Sequence, residues 1–179
     1  MVIESISSFL SKHLKMSDPD HPASEEVLRW QINIYLNYFF TFVLVLIVGL
    51  FTGKVIGSLI SMMAFIVLRK YSGGMHLRSI TVCTILSAAI FSVIPLIEIS
   101  YVWALNIVSA IIFLKYAPNY AGDEVTESNK LSDIQLKIVC IVVVMSNMIF
   151  NSSVLALTFF IQAILVSPLF NKHEEGVSN

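Results

Sequence analysis

The sequence predicts an all-α integral membrane protein: about six transmembrane helices preceded by an amphipathic N-terminal helix, with both termini cytoplasmic. Three observations lead there. Of the 179 residues, 56% are hydrophobic and 13% charged, against about 45–50% and about 25% in soluble domains, which leaves too little polar surface to coat a water-soluble globule. Apolar runs recur at roughly 34–51, 55–68, 80–97, 99–114, 138–150 and 154–170. With the N-terminus inside, the inner segments carry Lys12, Lys15, Arg29, Arg69, Lys70, Arg78, Lys115, Lys130, Lys137 and Lys172, and the outer turns carry Lys54 alone. Cytoplasmic loops show this bias, and moving one span would scramble it.

The elements follow in order. Residues 2–16 place Val2, Ile3, Ile6, Phe9, Leu10 and Leu14 at helical spacing opposite Glu4, Lys12 and Lys15. That stripe either lies along the cytoplasmic membrane surface or packs on the bundle. Ser17 to Ala23 is a proline-broken linker. A spanning helix takes about 20 residues; the first, third and sixth runs meet or approach this, while the second, fourth and fifth must borrow flanking residues. Residues 115–137 form the largest polar loop. The expected organisation is one membrane-embedded domain: cytoplasmic helix and linker 1–29, transmembrane bundle 30–170, cytoplasmic tail 171–179. The N-terminus lacks the basic start, apolar run and cleavage site of a signal peptide, so the chain is expected to enter the membrane through its own spans.

Composition also excludes functions. A net charge of −1 gives no basic face for nucleic acid. Two cysteines make no dense disulfide framework; they either form one bridge or stay as separate thiols. Metal ligands come in closely spaced sets, and the chain has none around its reactive residues, so no metal or other cofactor is expected.

The chemistry concentrates between the second and third runs, in Arg69-Lys70-Tyr71-Ser72-Gly73-Gly74-Met75-His76-Leu77-Arg78-Ser79 and the following Ile80-Thr81-Val82-Cys83. A thiolate is the reactive form of cysteine, and helix N-termini and imidazolium neighbours favour it. Ser79 suits the N-cap of the third span, which puts Cys83 in that helix's first turns. His76 can take the thiol proton and return it to a leaving amine. On one continuous helix the seven-residue spacing separates the two by about 10.5 Å, so the helix must begin after His76 or break near it, and Gly73-Gly74 supplies that freedom.

The run R-x-x-S-G-G-x-H-x-x-S-x-x-x-C, from Arg69 to Cys83, resembles the signature of the accessory gene regulator B (AgrB) family. These are bacterial membrane-embedded cysteine endopeptidases that process the precursor of a quorum-sensing peptide. The resemblance extends to chain length, six apolar runs, the N-terminal amphipathic stretch and the polar loop after Lys115-Tyr116-Ala117-Pro118. It implies Cys83 as nucleophile and His76 as general base. Arg69 and Gly74 match positions needed for activity, and Gly73 and Ser79 also fit the pattern. Cys140 matches no motif position and is left structural. The implied partners are an AgrD-like precursor signal peptide, the lipid bilayer and, as a preference, a second copy in a homodimer; the implied location is the bacterial cell membrane, with the site at the cytoplasmic face.

The expected reaction is removal of the precursor's C-terminal tail through a Cys83 thioester, leading to thiolactone or lactone closure. Lys70 and Arg78 either attract an acidic tail or only set topology. The competing classes are a small membrane transporter, whose path Asn106, Asn147 and Gln162 would line, and a non-catalytic membrane scaffold. Hydrogen bonds between helices explain those three residues more simply.

Overall fold

The structure is a computed structural model that describes residues 2–19, 21–74, 79–119 and 132–168. The described residues form seven helices and no strand: α1 (Val2–Ser17), α2 (Glu25–Thr52), α3 (Val55–Ser72), α4 (Ile80–Val93, followed by a 3-10 turn Ile94–Leu96), α5 (Val102–Tyr116), α6 (Asp133–Phe150) and α7 (Ser153–Val166). Each apolar run of the sequence forms most of one helix from α2 to α7. The tail 171–179 and most of the polar loop lie outside the described residues.

Helix ends follow local chemistry. Ser24 caps α2 by accepting from the Val27 amide, ahead of Glu25 and Glu26, where negative charge suits the helix dipole. Gly53, at φ 69°, closes α2 in a Schellman turn: its own amide donates to Leu50 and that of Lys54 to Gly49. At the α6–α7 turn, Asn151 takes φ 49°, while the Asn147 amide group accepts from the Ser152 amide and donates to its carbonyl.

Helix lengths depart from the lengths of the runs. The second and fifth runs draw in flanking residues, and α3 and α6 each reach 18 residues; with the 28-residue α2 they are, among the described residues, the three helices long and apolar enough to cross a membrane. The third and sixth runs form the shorter α4 and α7, of 14 residues each. Pro95 turns the chain out of α4 into the 3-10 turn. Ser152 opens α7 by accepting from the Leu155 amide, and the helix ends ahead of Pro168, where the residue before a proline is biased away from helix. Helix α2 runs unbroken through position 30.

Helix α3 lies between two cores. One, formed by Leu68 with Phe113, Ala117, Cys140, Val144, Phe159, Ala163 and Val166, joins it to α5, α6 and α7. The other, formed by Met62 with Val45, Ala88 and Phe91, joins it to α2 and α4. Small polar side chains sit at the contacts: Ser61 meets Thr158 at 2.8 Å between α3 and α7, and Asn147 donates to Asn106 at 3.2 Å between α6 and α5. Small residues let backbones approach where lipid supplies no hydrophobic drive between helices. Large apolar side chains such as Phe51, Ile85, Ile111 and Ile149 face outward.

Helix α1 reverses a simple amphipathic expectation. Ile3, Ser7 and Ser11 are its buried edge, one helical turn apart, while Phe9, Leu10 and Leu14 stay exposed. The serine hydroxyls are satisfied within the helix, by the carbonyls of Glu4 and Ser8. The helix packs on α2, has Ile3, Ser7 and Ser11 as its buried edge, and keeps most of its apolar stripe outward.

Candidate active site

The site is built from two anchored chain ends. The first is the end of α3. The Gly73 amide donates to the Arg69 carbonyl at 2.9 Å, and Gly73 and Gly74 take φ 64° and 131°. The Gly74 amide donates to the Asn119 carbonyl at 3.0 Å and the Asn119 amide to the Ser72 carbonyl at 2.8 Å, a one-residue parallel bridge. A Cβ at Gly73 would overlap the Asn119 carbonyl oxygen, so the bridge forms only with glycine there. From α7, Gln162 Nε2 donates to Ser72 Oγ and to the Gly73 carbonyl, both at 2.9 Å. Asn119 Nδ2 donates to the Val166 carbonyl at 2.9 Å, and the Arg69 guanidinium lies 3.4 Å from the Gly74 carbonyl. Lys70 is exposed, with its ammonium 5.9 Å from the Tyr71 ring centre.

The second anchored end is the start of α4. Ser79 is its N-cap, accepting from the Val82 amide. The Cys83 amide donates to the Ser79 carbonyl at 3.0 Å, which places Cys83 in the first turn. Helix α4 therefore begins after His76, the condition that the seven-residue spacing sets for an imidazole–thiol contact. His76 and Arg78 themselves lie outside the described residues. Cys83 is partly exposed, with Sγ 4.0 Å from Ser87 Oγ, whereas Cys140 is fully buried in the core, and the two form no disulfide. Among the described residues no group of His, Cys, Asp and Glu could hold a metal ion.

Glu4 fastens α1 to this helix start. Its carboxylate accepts from Ser79 Oγ at 2.9 Å, from the Thr81 amide at 3.2 Å and from Thr81 Oγ1 at 2.7 Å, while the Ile3 amide donates to Thr81 Oγ1 at 3.2 Å. A carboxylate is well placed among the unsatisfied amides of a helix N-terminus. Burial alone would raise the Glu4 pKa, but these hydrogen bonds outweigh it and hold the group down to about 2, from 4.5. A carboxyl whose pKa falls on folding stabilises the fold fully above its unfolded value and loses that contribution as pH falls through the folded one. The penalty of Glu4→Ala is therefore expected to be constant above pH 4.5 and to vanish toward pH 2. Because Glu4 is half-exposed, the expected drop in melting temperature at neutral pH is about 2–4 °C. Thermal unfolding of both proteins in detergent, at neutral pH and near pH 2, checks it.

Arg69, Gly73 and Gly74 thus come together at one anchor, and Ser79 and Cys83 at the other. Sequence reasoning missed Glu4, Thr81, Asn119 and Gln162 as parts of the site. Glu4 reads as one charge on a polar helix face, and Gln162 as one polar residue in an apolar run. Their partners lie 75 to 90 positions away, at Ser79, Thr81, Ser72 and Gly73, beyond any local pattern.

Comparison with known proteins identifies the family. The model of the accessory gene regulator B family matches residues 3–171. An AgrB-like protein of Halalkalibacterium halodurans is 29% identical over 174 residues, covering 94% of this chain and 88% of that protein. Protein FsrB of Enterococcus faecalis is 21% identical over 184 residues, covering 96% and 76%. No solved structure matches the chain. With the family match running through both anchored ends and nearly all the rest of its length, this chain, whose described elements are all helices, belongs to the accessory gene regulator B family, which acts in quorum-sensing peptide processing.

Proposed function

We propose that the chain is a membrane cysteine endopeptidase that removes the C-terminal tail from an AgrD-like precursor of an autoinducing peptide. The observation that carries this reading is the place of Cys83: partly exposed, in the first turn of α4, directly behind the Ser79 cap. His76 takes the thiol proton, and the Cys83 thiolate attacks the peptide carbonyl. The C–N bond breaks, the tail amine leaves with the proton held by His76, and a thioester joins the precursor to Cys83. A thiol or hydroxyl within the precursor then gives its proton to His76 and attacks the thioester. Cys83 leaves, and a thiolactone or lactone ring closes. Ring closure is an acyl exchange, so the energy of the cleaved bond is carried forward rather than lost to water. A site at the lipid boundary limits competing hydrolysis.

The same reading takes all six apolar helices as spans, with both termini and the motif at the cytoplasmic face, where precursors are made. The inner excess of Lys and Arg supports that orientation. Lys70 and Arg78 serve as attraction for an acidic tail, and a second copy completes a homodimer. The transporter reading gains nothing from the structure, since Asn106 and Asn147 bond each other and Gln162 bonds the end of α3.

Two experiments test the proposal. Precursor mass is followed on co-expression with wild type, Cys83→Ala and Cys140→Ala. Tail release by the first and third but not the second is the expected result; precursor left intact by all three sinks the enzyme reading in favour of a transporter or scaffold. Orientation is checked at exposed Lys70: a Lys70→Cys probe, in a background lacking Cys83 and Cys140, is expected to resist an impermeant maleimide until the cells are permeabilised. Labelling in intact cells overturns the cytoplasmic placement.

A further inference from the structure

Gln162 stands out among the buried polar groups. It is fully buried on α7 among apolar neighbours, and a buried amide is costly unless hydrogen-bonded. Its Nε2 donates to Ser72 Oγ and to the Gly73 carbonyl. A carbonyl can only accept, which fixes the amide orientation and leaves Oε1 buried with no partner among the described residues. Adhesion between α3 and α7 does not need this group, because Ser61 and Thr158 already join them with two hydroxyls. The amide instead reaches past the end of α3, to a backbone carbonyl of the motif turn. Around it three distant segments meet. Gly74 and Ser72 bond the Asn119 backbone, and the Asn119 side chain bonds the Val166 carbonyl at the end of the same α7. A Cβ on Gly74 would lie 3.6 Å from Gln162 Nε2 and 3.5 Å from the Leu165 carbonyl, so the turn rests directly against α7.

We propose that Gln162, assisted by Asn119, is a positioning residue of the peptidase site: by locking the Gly73–Gly74 turn it sets where the chain departs toward His76, two residues further on. The role presupposes the Cys83–His76 chemistry proposed above. In that chemistry the base belongs, in sequence, to the short stretch between Gly74 and Ser79, and the nucleophile follows four residues after Ser79. The far end of that stretch is steadied by Ser79, Thr81 and Glu4, and its near end by the Gln162 clamp. Loosening one end is enough to lose the reacting geometry, since misplacement by about 1 Å lowers rates about 100-fold.

The test uses full-length protein in detergent and two probes. The first is iodoacetamide, with alkylation of Cys83 followed against pH by peptide mass. Wild type is expected to show a component that His76→Ala removes, and Gln162→Leu is expected to remove the same component. Gln162→Glu is expected to keep it at acid pH, where a protonated carboxyl donates to the Gly73 carbonyl, and to lose it as that carboxyl ionises. The second probe is a synthetic precursor peptide, for which kcat in Gln162→Leu is expected to fall roughly 10- to 100-fold, with KM within about twofold. Asn119→Ala, which keeps the backbone bridge, is expected to lose less and serves as the folded variant should Gln162→Leu not accumulate. A wild-type alkylation profile and kcat in Gln162→Leu, or in both Gln162→Glu and Asn119→Ala, overturn the positioning role while leaving the peptidase reading intact. Precursor cleavage that survives Cys83→Ala removes the peptidase reading itself.

Discussion

Cys83→Ser is expected to reduce tail release by at least about 10⁴-fold, the scale on which nucleophile replacements act in hydrolases. The two side chains differ by one atom, and Cys83 is partly exposed, with the Ser87 hydroxyl among its neighbours, so the change is expected to be tolerated structurally. The loss is therefore chemical. A thiol near neutral pH holds a few per cent of its reactive anion and is intrinsically nucleophilic, whereas a hydroxyl needs full activation by a base. Any ester that did form would be a poorer acyl donor than a thioester, so ring closure would slow as well. Three measurements check this together: precursor mass after co-expression, the melting temperature of the variant, and a hydroxylamine-labile adduct between precursor and wild-type enzyme. An unchanged melting temperature with no released tail is the expected pair. Normal processing by the serine variant would remove Cys83 from the nucleophile role.

Gly73→Ala is the second large effect, and Gly53→Ala is its control. Both glycines have positive φ, at 64° and 69°, but Gly53 opens onto empty space while a Cβ at Gly73 would enter the Asn119 carbonyl. At Gly53 the expected cost is the conformational one alone, about 1 kcal/mol, with processing preserved. At Gly73, with φ 64° and ψ −149°, the backbone conformation is itself essentially restricted to glycine and costs more than the left-handed turn at Gly53; an overlap between backbones is added, which neither side can relieve by a rotamer change. The bridge to Asn119 must open, and with it the bonds from Gln162. The expected loss is roughly 3 kcal/mol or more, accompanied by complete loss of precursor cleavage. Thermal unfolding and precursor mass, measured side by side on the two variants, separate the cost of an ordinary left-handed glycine from the combined backbone and steric demand at Gly73.

Much of this was legible in local sequence, because local physics decides it. Apolar runs mark helix interiors wherever the surroundings are apolar. Ser79 caps α4 because a hydroxyl one residue before a helix can take an otherwise orphaned amide, and Cys140 is a core residue, as its lack of a motif match suggested. Less legible were the features set by packing. The stripe on α1 from Phe9 to Leu14 draws attention through its apolarity, yet Ile3, Ser7 and Ser11 make the buried edge. The stops of α4 and α7 came from Pro95 and Pro168, which an average of apolarity passes over. Glu4, Asn119 and Gln162 have meaning only through partners far along the chain, and hydropathy registers a polar group without naming what it bonds. The glycine pair shows the limit from the other side. Its freedom was evident from composition, while the reason for it, the Asn119 carbonyl pressed against Gly73, belongs to the fold.

The clamp on the motif turn also sets a schedule for biosynthesis. Gln162 is made 90 residues after Ser72, a delay of roughly 5–20 s at ordinary rates of elongation. Until α7 leaves the ribosome and inserts, the nascent chain holds Cys83, the proposed nucleophile, without the bonds from Gln162 to Ser72 and Gly73. A chain cut short after α6 would then enter the membrane with its reactive cysteine in place and remain inert. On the proposed peptidase reading, translation to near the last helix would act as a built-in timer on proteolysis.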